Sequence, residues 1–327
     1  MKTIYAKDGL KLSIYTFGFE PKGECILFIV KDDEDIIFCR LIDVYIDKEE
    51  RLIDLLEKEN INKLNYLCIT HPDSDHCTGL DKIIEYIDLE NTITTFPSRM
   101  FDEELINCFS SISQDNIKHI KELVKDIKKN NIKNVNDFTT IIDSYRIINS
   151  KSNVYNFSLY TISPISSIIN NYKYKLEDNS NIGVYNNNFC VTNYICIGDI
   201  QLLLCSDIND DTIKILYDNE TLSIIDNIKK YIVHYLKIPH HSSDKSKYMF
   251  NFLENNSIVI GGTTLYRSSN LPKIDVLNSY KDISDVVIST GKVDKSQIEN
   301  KYGIFNLLFD LDNKYCEVEL FGDSNFI

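Results

Sequence analysis

The chain alternates short apolar runs with polar or charged turns, and most runs have strand length. Residues 1–17 switch between apolar and polar positions, as in Lys11-Leu12-Ser13-Ile14-Tyr15, which predicts an opening strand or hairpin. After a turn at Gly23-Glu24, the run Cys25–Val30 reads as a buried strand, and Ile36–Asp43 as a second one ending in a carboxylate. Lys48–Asn60 sets Leu52, Ile53, Leu55 and Leu56 at helical spacing. A strand at Leu64–Thr70, a helix at Leu80–Asp88 and a short strand over 92–97 follow. From Asp102 to about Phe138 the pattern is helical and polar, and strands return at Phe157–Pro164. Residues 167–188 read as a loop or weak helix. Phe189–Ile197 and Ile200–Ser206, split by Gly198-Asp199, form a strong hairpin signal. Asp211–Leu236 is mostly helical, Leu236–Ile238 a short strand, and Tyr248–Asn255 helical. Strand Ile258–Ile260, helix Lys273–Lys281, strand Val286–Ile288 and strands over 304–321 complete the series.

The strands fall into two groups separated by helices, with no internal repeat and no low-complexity linker. This predicts an α/β (α+β) chain folded as one domain over 1–327, with two sheets each covered by helices on its outer face. Residues 102–140 are expected to be a helical insertion. Its lysines, Lys118, Lys121, Lys125, Lys128, Lys129 and Lys133, suit the solvated face of a surface helix or a basic arm guiding an anionic substrate.

Composition changes this picture little: 43% hydrophobic and 26% charged residues are ordinary for a globular protein. The formal net charge of −14 argues against tight coating of duplex nucleic acid, where phosphate neutralisation supplies most of the affinity. The nine cysteines show no C-x-x-C spacing, and several sit in apolar runs as small hydrophobes. No charged region followed by an apolar run opens the sequence, and no apolar run is long enough to span a bilayer. A reduced, cytoplasmic protein without a membrane partner is the expectation.

The chemistry is concentrated at strand ends. Directly after the apolar run 64–70, His71, Asp73, Asp75 and His76 offer four potential metal ligands within six residues. In an extended turn the alternating spacing puts His71, Asp73 and Asp75 on one side, with His76 aimed at a second point close by. One turn would then serve two metal positions. Asp207 follows the apolar strand 202–206, and His240-His241 follow the strand at 236–238. Four of the six histidines in the chain lie in these clusters.

His71-Pro72-Asp73-Ser74-Asp75-His76 resembles the H-x-[HD]-x-D-H motif of the metallo-β-lactamase fold superfamily. Leu41-Ile42-Asp43 resembles the family's strand-end aspartate, and Leu203-Leu204-Cys205-Ser206-Asp207 its L-L-x-G-D strand. Leu236-Lys237-Ile238-Pro239-His240-His241-Ser242-Ser243 is similar to L-K-V-x-H-H-G-S. With Asp at the second His position, the chain is most similar to the branch containing the metallo-β-lactamase-type domain of competence DNA-uptake proteins. Ser206 and Ser242 stand where the family has glycine. The family's further histidine between the first motif and the bridging aspartate is represented only by His119, in the Lys-rich segment, or by Ser98 at a strand end.

The resemblance implies a four-layer αββα sandwich with a two-metal site at one edge. His71 and Asp73 would bind the first ion; Asp75, His76 and His240 would bind the second; Asp207 would bridge both. Asp43 would orient a ligand imidazole. His240 is the expected ligand because it comes first after the strand, leaving His241 to contact substrate or donate a proton. The implied cofactors are two divalent ions, Zn²⁺ first and Mn²⁺ as the alternative. The implied activity is hydrolysis by a hydroxide bridging the two ions, with Asp75 orienting it and a phosphodiester, nucleotide or single-stranded nucleic acid, as substrate. Lys237 and the turn His241-Ser242-Ser243 are expected to meet a phosphate. The competing readings are a degenerate fold used as an interaction or sensor module, and a thioester or lactone hydrolase.

Overall fold

The computed structural model describes residues 1–7, 9–97, 103–107, 111–123, 125, 132–135, 140–164, 186–218, 223–253, 257–294 and 299–327. In chain order the strands are β1 (Lys2–Tyr5), β2 (Leu10–Phe19), β3 (Glu24–Asp32), β4 (Asp35–Ile42), β5 (Val44–Tyr45) and β6 (Tyr66–Cys68). Next come β7 (Ile93–Pro97), β8 (Ile132–Val135), β9 (Thr140–Ile148), β10 (Val154–Ser163), β11 (Thr192–Ile197) and β12 (Ile200–Leu204). The last are β13 (Val233–Lys237), β14 (Ile258–Thr263), β15 (Ser284–Ser289), β16 (Tyr302–Asp310), β17 (Tyr315–Gly322) and β18 (Asn325–Phe326). The helices are α1 (Arg51–Lys58), α2 (Ser74–Cys77), α3 (Leu80–Tyr86), α4 (Glu103–Ile106) and α5 (Ser111–Leu123). They continue with α6 (Asp210–Asp218), α7 (Ser223–Lys230), α8 (Met249–Phe252) and α9 (Ile274–Lys281).

Two sheets result, of order β1-β9-β10-β11-β12-β13-β14-β15-β18 and β17-β16-β2-β3-β4-β6-β7-β8. Their central strands, β3 above all, are apolar on both faces because both faces are buried. In β3, Ile26, Phe28 and Val30 enter an inter-sheet core with Phe157, Leu159, Ile195 and Leu202 of the other sheet. The alternate residues Leu27 and Ile29 join the outer core with Leu52 and Leu56 of α1 and Ile83 of α3. On the second sheet, Leu203 and Leu236 pack outward in the core that contains Ile213 of α6, Ile225 of α7 and Leu277 of α9. The layers are therefore helix, sheet, sheet, helix, the αββα sandwich expected.

One buried charge sits between the sheets. Arg40 of β4 is fully buried, and its Nη2 donates to Asp143 Oδ2 of β9 at 2.7 Å. Its guanidinium carbon lies 4.4 Å from the Phe157 ring centre and 5.1, 5.7 and 6.0 Å from those of Phe38, Tyr66 and Tyr145.

Two segments depart from the sequence pattern. Residues 102–140 are not helical throughout: β8 pairs in parallel with β7 and extends the sheet at its edge. A four-residue strand is too short to announce itself by periodicity. Strand β9 gave no clear signal either. A register shift opposite Leu159/Tyr160 of β10 breaks its alternation, so Ile142 and Ile147 are both buried although they lie an odd number of positions apart.

Topology decides where function sits. β4, β6, β7 and β8 are mutually parallel, and so are β12, β13, β14 and β15. Loops leaving the carboxyl ends of these strands carry Asp43, His71–His76, Asp207, His240–His241 and Thr264. This is the crevice position that α/β sheets favour for ligands.

Candidate metal centre

Short loops leave little freedom at each strand end. Asp43 follows β4 in a left-handed conformation, φ 59°, with its N–H donating to Cys68 O at 2.7 Å. Its Oδ1 accepts from Thr70 N (2.7 Å), and its Oδ2 from Thr70 Oγ1 (2.8 Å). Asp43 Oδ2 also lies 2.7 Å from His76 Nδ1. A carboxylate there can only accept, so Nδ1 carries the proton and Nε2 keeps its lone pair.

The same logic fixes the other two imidazoles. The Thr70 hydroxyl spends its proton on Asp43, so it accepts from Ser206 Oγ (2.7 Å) and from His71 Nδ1 (3.1 Å). The Thr264 hydroxyl donates to Glu24 Oε2 and accepts from His241 Nδ1 at 2.9 Å. Each of His71, His76 and His241 is thereby held as the tautomer that presents Nε2. His71 Nε2, His76 Nε2, His241 Nε2 and Asp207 Oδ1 are buried and have no hydrogen-bond partner among the described residues.

Two of these imidazoles converge on Asp75 and Asp207. His76 Nε2 lies 3.5 Å from Asp75 Oδ2 and 3.8 Å from Asp207 Oδ2. His241 Nε2 lies 3.6 and 3.5 Å from the same two oxygens. Asp75, His76, Asp207 and His241 thus form a group able to hold one ion. Donors bonded at about 2.0–2.2 Å to one tetrahedral ion stand about 3.3–3.6 Å apart, close to the spacing here and too long for hydrogen bonds. Beside it, His71 Nε2 stands 3.7 Å from Asp73 Oδ2, and the His71 and His76 ring centres are 4.1 Å apart. Asp73 Oδ1 accepts from Ser113 Oγ at 2.8 Å, and Asn116 Nδ2 of the same helix α5 donates to Pro72 O at 2.7 Å.

The charges are strongly coupled. Burial opposes ionisation of Asp75 and Asp207, yet His76 and His241 outweigh it, taking Asp75 to about 2 and Asp207 well below the usual range. Burial likewise disfavours imidazolium, but Asp43 and Asp75 raise His76 well above its ordinary value, and Asp207 and Glu24 raise His241 to about 9. Without another cation, the cluster holds protons where lone pairs point. His240 differs: burial pushes it down. Tyr266, 5.1 Å from the His241 ring, is pushed up to about 12 by burial and Asp75 and stays a phenol.

His241, not His240, joins the converging group, opposite to the roles expected from the strand pattern. His240, His241 and Ser242 all have left-handed φ, 50°, 49° and 60°, so strand alternation does not carry through the turn. The His240 ring instead lies against Asn187 Nδ2, at 3.2 Å from Nε2. Asp75 and His76 share helical turn α2, which aims both at the same group, whereas His71 and Asp73 precede it. Lys237 does not reach substrate: it is fully buried and pairs with Glu24, 3.0 Å to Oε1 and 2.9 Å to Oε2. Ser242 is buried and donates to Thr263 Oγ1 at 2.8 Å. His119 is exposed on α5, and Ser98 lies outside the described residues.

Glu24, Thr264, Thr70 and Ser113 escaped the sequence reading. Glu24 is the first residue of β3, directly after a turn, where a carboxylate is unremarkable, and its partner Lys237 is 213 residues away. Ser206, in the glycine position of the resembled motif, takes φ 50° and supplies a bond across the two sheets that glycine lacks. A left-handed L-residue costs roughly 1–2 kcal/mol, which such a buried hydrogen bond offsets in part.

Asp73, Asp75, Asp207, His240 and His241 line a cavity of about 220 Å³ together with Leu271, the half-buried Asn187, Asn209 and Tyr266, and the exposed Lys245 and Ser269. No protein-family model matches the chain, and no curated protein matches it. The solved structures similar to this chain include two of low identity. One is a new diphosphatase from the PhnP family, at 11% identity and TM-score 0.39, with 84% of this chain and 93% of that chain covered. The other is the metallo-beta-lactamase fold protein YhfI from Bacillus subtilis, at 9% identity and TM-score 0.40, with 85% and 95% covered. At these scores the likeness carries no residue-level correspondence.

Proposed function

We propose that the chain is a metal-dependent hydrolase of the metallo-β-lactamase type that cleaves phosphodiesters. Asp75, His76, Asp207 and His241 would hold one divalent ion; His71 and Asp73, with Asp207 shared, would hold a second. The observation that carries this reading is that His76 Nε2 and His241 Nε2, both buried and without a hydrogen-bond partner among the described residues, converge on Asp75 and Asp207, with His71 Nε2 buried and equally without one beside them. Such groups are costly to bury unless something binds them. The four carboxylates Asp43, Asp73, Asp75 and Asp207 match the charge of two divalent cations, and mixed imidazole and carboxylate donors suit Zn²⁺ or Mn²⁺.

Bound there, divalent ions would lower the pKa of a water and neutralise charge developing on the electrophile. The remaining work falls to the chain. Asp75, ionised at any ordinary pH, accepts the hydrogen bond that orients the attacking water. Tyr266, still protonated, offers its hydroxyl to a substrate oxygen from the cavity wall. Asp43, Thr70 and Thr264 hold the imidazoles so that no reorganisation is needed during reaction.

The substrate class is supported by the lining. Among the described lining residues only Leu271 is aliphatic, so the cavity lacks an apolar wall for an acyl chain. Its size and the net charge of −14 favour a small or single-stranded phosphodiester over duplex DNA. The test pairs elemental analysis of protein purified without chelator with hydrolysis of bis(p-nitrophenyl) phosphate under added Zn²⁺ or Mn²⁺. About two ions per chain with turnover is the expected result. Absence of bound metal together with absence of turnover under either ion would overturn the reading.

A further inference from the structure

The outer wall of the cavity differs in chemistry from its floor. The floor supplies carboxylates and imidazole lone pairs. The wall carries groups rich in donors: the Lys245 ammonium, the Asn187 amide and the Tyr266 hydroxyl. Lys245 is fixed at its base. Its backbone N–H donates to Ser243 Oγ at 3.3 Å, and Ser246 Oγ donates to Pro239 O (3.2 Å) and Ser243 O (3.0 Å), tying the short turn to the segment that carries His241. The adjacent charges neutralise each other, Asp244 pairing with Lys247 at 2.6 Å. Lys245 itself is an exposed residue lining the cavity and has no carboxylate partner among the described residues. In a chain of net charge −14, a cation without such a partner in a cavity that three aspartates also line is out of keeping with its surroundings. An ammonium has three donors and no acceptor, so its complement is an anionic group with several oxygens.

We propose that Lys245 anchors a second anionic group of the substrate, so that the preferred substrate carries a phosphate or carboxylate in addition to the phosphodiester that is cleaved. This rests on the hydrolase reading above and narrows it: a simple dialkyl or diaryl phosphate would be a poor substrate, and a nucleotide bearing a further phosphate a better one. The ammonium works as a point charge on a flexible stem, so Arg in its place keeps most of the effect.

The test compares two chromogenic substrates that differ only in the second anion: thymidine 5′-(p-nitrophenyl phosphate) with and without a 3′-phosphate. In the wild-type protein loaded with Zn²⁺ or Mn²⁺, the 3′-phosphate should lower KM about tenfold, the scale of one charge-assisted hydrogen bond. Lys245→Ala should bring the ratio of the two KM values close to one, Lys245→Glu should invert it, and Lys245→Arg should restore it. Metal content, measured on each variant, should stay at the wild-type value. A KM ratio that Lys245→Ala and Lys245→Glu leave unchanged, in protein that binds metal and turns over, overturns this inference alone. Wild-type protein that takes up no metal and cleaves neither substrate overturns the hydrolase reading, and this inference with it.

Discussion

Two polar clusters buried among the described residues solve the same problem in opposite ways. Between the sheets, Arg40 leaves Nε and Nη1 without a hydrogen-bond partner among the described residues. At the strand ends, three imidazoles and Asp207 leave acceptor atoms without one. The first cluster contains its own cation. Asp143 neutralises the guanidinium, and four aromatic rings present their electron-rich faces to it. The second has lone pairs and carboxylates aimed at one another, and the buried ammonium beneath it, Lys237, is already paired with Glu24. Buried polar atoms without partners therefore do not identify a site by themselves. What matters is whether the neighbours already supply the opposite character.

The largest effect should come from removing a converging ligand. His76→Ala or Asp207→Ala is expected to lower turnover of bis(p-nitrophenyl) phosphate by at least about 10³-fold, several kcal/mol of lost charge stabilisation. Bound metal should fall in parallel. Normal activity in both purified variants would erase the distinction between the clusters. Next in size, Arg40→Met should destabilise the fold by about 3 kcal/mol in denaturant unfolding, because it strands Asp143 beside a lost partner. Metal content should not change; if it does, the two clusters are not independent. Smaller still, Asp43→Asn should weaken metal affinity about 10- to 100-fold in competition with a chromogenic chelator, since it removes the charge that holds His76 Nδ1–H.

The last prediction concerns pH. In chelator-treated protein His241 titrates near 9, above its ordinary 6.5. A raised pKa contributes stability that is complete below 6.5 and lost as pH climbs through about 9. Asp75 and Asp207, both depressed, contribute a constant amount across that window. Chelated protein should therefore lose stability from pH 6.5 to 9. Metal-loaded protein should gain over the same range, because protons stop competing for Nε2. Thermal unfolding with and without chelator reads both slopes, and parallel slopes would remove the metal from the comparison.

How much of this was legible in the chain varies with distance along it. His71, Asp73, Asp75 and His76 are local, and apolar runs on either side announce the strand and helix that frame them. Asp207 and the His pair follow the same strand-end rule. The rule stops where backbone geometry stops being extended. Three successive left-handed residues decide that His241 rather than His240 turns inward, and no residue there is a glycine that would advertise it. The groups that hold the imidazoles were harder. Glu24, Thr70 and Thr264 are common residue types in ordinary contexts, and only the closure of two sheets brings them beneath the ligands. The Arg40 cage is similar: Arg40 interrupts an apolar strand, and its counter-charge lies 103 residues away.

The bond from Ser113 of α5 to Asp73 has a consequence of a different kind. A helix on the flank of the sandwich grips a candidate ligand from outside the sheets. Linkage is reciprocal. With Asp73 as a ligand, as proposed above, cation uptake would steady α5, and whatever steadies α5 would tighten cation uptake by the same factor. The flank of the protein and its centre would then be coupled, and occupancy of the first ion position would be sensed, or set, from the surface.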